Sequence, residues 1–91
     1  MRQDKSKIEE VEMWELMRDW FTSLNIDYTL GYVFPANQVF TLRNKAVQVW
    51  RCYPEINVFD ATGNPNCPYK QTATLDSRDP ECFNKLKKLL N

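Results

Sequence analysis

Histidine is missing from this 91-residue chain, and with it goes the commonest acid–base group at neutral pH. No Ser–His or Cys–His nucleophile pair can form, and most zinc sites lose a ligand type. The cysteines are Cys52, Cys67 and Cys82, with no Cys-x-x-Cys spacing, so no metal site is expected. Two glycines cannot build a phosphate-cradling loop or a dinucleotide fingerprint. A small metal-dependent hydrolase would draw on Asp27, Glu55 or Asp60. No Asp or Glu is followed two positions later by Lys, so the usual nuclease spacing is absent. These acids are expected to be solvated. No catalytic residue, cofactor or metal is expected, and the chain reads as non-enzymatic.

Three clusters of charge carry a binding reading beside a plain one. Arg43, Asn44, Lys45 and Arg51 accompany Trp50 on and beside one predicted hairpin. A basic turn next to an aromatic ring could hold a phosphate and stack a base. The plain reading is a solvated turn plus a core or interface tryptophan. Glu12, Glu15 and Asp19 could meet a basic partner, but a solvated helix face explains them. Lys85, Lys87 and Lys88 fall near a helix C-terminus, where the helix dipole favours cations.

The elements that must position these groups centre on Gln38–Asp60. Val39–Leu42, Val47–Tyr53 and Ile56–Phe59 are β-branched and aromatic runs with short gaps. Asn44 tolerates a left-handed backbone and suits a tight turn; Pro54 pre-sets the next one. Strands joined so closely must be antiparallel, because parallel pairs need a long crossover. Upstream, Ser6–Glu9 forms a capping box. It opens a helix to about Leu24 with Met13, Trp14, Met17, Trp20, Phe21 and Leu24 in one stripe, closed by Asn25. Tyr28–Phe34 is a further strand candidate, in which Gly31 suggests a bulge or a close backbone approach. Pro35–Asn37 turns into the central runs. Residues 61–68 read as a loop by composition, Tyr69–Leu75 as a last edge strand, and Asp79-Pro80 as the start of a second helix. The fold expected is α+β: an N-terminal helix, an antiparallel meander of four to five strands, and a C-terminal helix. The element order is similar to that of double-stranded RNA-binding domains. The glycine-flanked, lysine-rich helix start of those domains is absent, so no family is recognised.

Residues 1–91 are read as a single compact domain with residues 1–5 as a frayed tail. An apolar fraction of 43% supports a core. The net charge is zero, which argues against a generic nucleic-acid coat, although residues 28–91 are basic and residues 1–27 acidic. With no signal peptide and no apolar run of bilayer length, the expectation is a cytoplasmic protein with buried thiols and no membrane contact. A Cys67–Cys82 bridge is the rival.

In the middle strand both faces carry apolar bulk: Val47, Val49 and Tyr53 on one, Ala46, Trp50 and Cys52 on the other. A half-exposed sheet alternates more cleanly, so cover is expected on both faces, supplied in part by another molecule. The functional expectation is a protein-interaction module that forms a homodimer. It would serve as a small accessory or inhibitor protein of phage type that also binds a host protein. Arg43, Asn44, Lys45, Trp50, Arg51 and Tyr53 are its candidate interface. The alternative is a nucleic-acid-binding domain using residues 43–51.

Overall fold

The computed structural model describes residues 13–33, 36–51 and 53–90. Helix α1 spans Met13–Ser23, followed by strands β1 (Thr29–Val33), β2 (Asn37–Thr41), β3 (Lys45–Trp50), β4 (Glu55–Asn64) and β5 (Cys67–Asp76), then helix α2 (Cys82–Leu90). The strands form one sheet in the order β1-β2-β3-β4-β5, each pair antiparallel. This is the expected α+β meander, with β5 at an edge. The Ser6–Glu9 capping box, the tail, the turn at Pro35 and the strand position of Cys52 lie outside the described residues.

Helix α1 ends because Asn25 takes a left-handed conformation, φ 57°. The amide of Ile26 then donates to Phe21 O at 3.0 Å and that of Asn25 to Thr22 O at 3.1 Å. Two carbonyls that the helix end would leave unpaired are thereby satisfied. Asp79 caps α2: its Oδ1 accepts the Glu81 amide at 2.9 Å. At Gly31 the β1–β2 register shifts, and a Cβ there would lie 3.3 Å from Val39 O. Asn44, in contrast, does not take the left-handed form; among described non-glycine residues Asn25 does.

Both helices cover the same face of the sheet. Their apolar stripes, Met17 and Phe21 from α1 and Cys82 and Leu86 from α2, share one buried cluster with Phe40, Val47, Val49, Ile56 and Val58. The sheet residues in that cluster are cross-strand neighbours: Phe40 opposes Val47, which opposes Val58, and Val49 opposes Ile56. Phe40 meets Phe21 and Tyr28 edge-on, with ring centroids 5.4 and 5.3 Å apart. Trp20 and Phe83 join the two helices, 5.1 Å between ring centroids. Each of the large buried side chains contributes about 1.5–3 kcal/mol of transfer free energy. The one polar intruder is Gln38, opposite Val49, 3% exposed, whose Oε1 has no donor among the described residues.

Residues 61–68 correct the sequence reading. They are not a loop: β4 runs to Asn64 and β5 starts at Cys67, with Pro65-Asn66 as the turn. The turn-forming residues act inside the ribbon instead. Gly63 has φ 79°, Asn64 Oδ1 accepts the Asn66 amide at 2.9 Å, and the Thr62 hydroxyl donates to Cys67 O. Beyond the Lys45–Asp60 pair, no third strand among the described residues lies beside β4 and β5. They continue as an exposed two-stranded arm.

Candidate interaction surface

The face of the sheet turned away from both helices is built by the alternate residues of the same strands. Its middle is a row of amides. Gln48 Nε2 donates to Asn37 Oδ1 at 3.2 Å, and Asn57 Nδ2 donates to Gln48 Oε1 at 3.3 Å. Asn57 Oδ1 accepts from Gln71 Nε2 at 3.1 Å and from the Thr74 hydroxyl at 3.0 Å. The ladder crosses β2 to β5, so Asn57 can be 4% exposed at little cost, its hydrogen-bonding groups being met.

Beside the ladder lies apolar surface. Val39, Thr41, Ala46, Gln48, Phe59 and Tyr69 line a shallow concavity of about 210 Å³. Tyr69 reaches this face through a bulge. Val58 opposes Ala73 but Phe59 opposes Gln71, which leaves Thr72 as an extra residue in β5. That insertion reverses the facing of Gln71, Lys70 and Tyr69; a second register shift follows between Ala61 and Asn64. Without it Tyr69 would point to the helix side. Ala61 opposes Tyr69, and neither is charged.

The predicted interface residues do not come together. Arg43 and Asn44 are exposed in the β2–β3 turn. Lys45 is tied to Asp60 across the β3–β4 pair, Nζ to Oδ1 2.6 Å. Trp50 and Arg51 lie at the other end of β3, about 16 Å away at about 3.3 Å per residue. There Trp50 meets Tyr53 edge-on, ring centroids 5.7 Å apart. Its Nε1 is buried with no acceptor among the described residues. The strand ends at Trp50, so Tyr53 and Arg51 belong to the link to β4, and Tyr53 is 62% exposed. A basic turn beside a stacking ring is therefore not what this hairpin presents.

The surface that sequence reasoning missed is Val39, Gln48, Asn57, Phe59, Tyr69 and Gln71. Gln48 and Asn57, polar residues inside two apolar runs, carried a signal for it, because they oppose each other in the register that buries Val47 and Val58. Tyr69 carried none, since its facing depends on the bulge.

Reactive groups are few. Cys67 and Cys82 are both free. Burial pushes the Cys82 thiol up from its ordinary value, which makes it a poor nucleophile. Against the general expectation of buried thiols, Cys67 is exposed, on the arm that no described element covers. Among the described residues no three His, Cys, Asp or Glu side chains gather as a metal site. No described helix is long and apolar enough to cross a membrane. Compared with models of protein families, with curated proteins and with solved structures, the chain matches none.

Proposed function

We propose that this protein is a non-enzymatic interaction module that engages another protein through the helix-free face of its sheet. The observation that carries the reading is the make-up of that face. Its centre has apolar bulk in Val39, Ala46, Phe59 and Tyr69, amides already paired with one another, and no charged side chain among the described residues. Depletion of charge at the centre with aromatic enrichment is what separates interface cores from ordinary surface. A role as a small accessory or inhibitor protein, acting in the cytoplasm on a host complex, accords with its small size. Nucleic-acid binding through residues 43–51 has less geometric support, because the basic turn and Trp50 occupy opposite ends of β3.

Affinity capture from the native host, with wild type and Phe59→Lys as parallel baits, tests the reading. Proteins held by the wild type should be lost from the variant, whose fold is checked by circular dichroism. Retention of the same proteins by both baits would sink it.

A further inference from the structure

We propose that the occupant of the helix-free face is a second copy of this chain, stacked face to face with its strands running in the opposite sense. The inference rests on the interaction reading above and names its partner. Charge is the first argument. The centre of the face is neutral, so it gives a strongly acidic or basic partner no hold, whereas an identical neutral surface fits it. Its amides are already paired within the chain, so a second copy can cover them without leaving them unsatisfied.

One charge of each sign, without an ion-pair partner among the described residues, marks the two ends of the face. One end holds exposed Arg43 in the β2–β3 turn; the other holds exposed Glu55, which by alternation lies on the same side as Asn57. Asp76, also at the acidic end, is tied to Arg78 at 3.1 Å, and Arg51 there already interacts within the chain. A two-fold axis in the sheet plane and across the strands lays each copy's Arg43 end over the partner's Glu55 end. An axis along the strands would lay like upon like.

Area is the second argument. At about 4.8 Å per strand and about 3.3 Å per residue, the five-stranded part projects roughly 400 Å². Stable dimers bury about 800 Å² a side, so the sheet alone falls short. The β4–β5 arm carries Tyr69, 38% exposed, and adds roughly 130 Å² to the same face, a footprint of about 530 Å² that fits a weak, reversible dimer. In the antiparallel arrangement each arm passes over the partner's acidic end. There Tyr53 and Pro54, with Glu55, Thr74, Asp76 and Arg78, line an open, half-polar concavity of about 400 Å³ against which the arm's tip can lie.

The test is sedimentation equilibrium of the full chain over a concentration series, using substitutions at exposed or half-exposed sites. The wild type should move from the 10.8 kDa chain mass toward twice that value. Tyr69→Lys should weaken self-association more than about tenfold. Arg43→Glu and Glu55→Arg should each weaken it by roughly three- to tenfold, and the double variant should recover most of the loss. A monomer at every concentration overturns the proposal; if Phe59→Lys still loses captured host proteins, the interaction reading stands without it. A dimer indifferent to Tyr69→Lys overturns the choice of face. Charge reversals that fail to rescue each other overturn the antiparallel stacking.

Discussion

The two faces of one sheet, made by alternate residues of the same five strands, have been put to opposite uses. One holds Phe40, Val47, Val49, Ile56 and Val58 under both helices. The other holds Ala46, Gln48, Asn57 and Phe59, with no element of the described chain above them. Yet the second face is not simply polar, as a solvated antiparallel face usually is. It mixes rings and methyl groups with an amide ladder whose members satisfy one another. The difference teaches that burial of polar atoms does not require a covering layer. Asn57 is as hidden as Ala46, at 4% against 5% exposed, because its neighbours in the ladder shield it.

Two phenylalanines separate the faces most. Phe40→Ala should cost about 3–5 kcal/mol, enough to unfold a domain this small. Phe59→Ala, on the other face, should cost only roughly 1 kcal/mol. Urea unfolding followed by tryptophan fluorescence measures both. Equal losses would mean that Phe59 belongs to a core. Next in size is the ladder: Asn57→Ala removes one donor and one doubly used acceptor and should cost about 1–3 kcal/mol. A neutral result would show that water replaces Asn57 freely. Of opposite sign is Gln38→Met, which replaces an unpartnered acceptor on the helix-covered face with a chain of similar size. It should stabilise by about 1 kcal/mol. The smallest effect lies at the β5–α2 corner. Arg78 holds the Asp76 carboxyl, and Lys85 the Asp79 carboxyl, below the ordinary aspartate value. Depressed carboxylates stabilise above the unfolded value, near pH 4, and lose that contribution as pH falls through the folded value. Thermal midpoints should therefore be flat in this respect from pH 7 to about pH 5 and decline below about pH 4. Since both carboxylates remain partly open to solvent, added salt should flatten the decline.

Much of the fold was legible because its signals are local. The stripe of Met13, Met17 and Phe21, the left-handed closure at Asn25, the Asp79 cap and the close spacing of three β-rich runs each depend on residues within a turn or two of one another. The candidate surface was legible only in fragments. Arg43 and Trp50 are seven positions apart in sequence, which looks close, but an extended strand keeps its ends apart. Residues 61–68 read as a loop because Gly63, Asn64 and Pro65 are turn residues; in place they are a turn and the bulged strand ends that flank it.

The sequence by itself determined the element order, the antiparallel meander and the absence of histidine-based chemistry, since these follow from composition, short connections and periodicity. Tertiary structure alone decided that both helices share one face, that Thr72 is an extra residue turning Tyr69 to the other, and that Gln48 and Asn57 meet. The physical reason is that facing in a sheet has a period of two. One added residue, or the choice of which side a helix lands on, inverts it without changing any local preference.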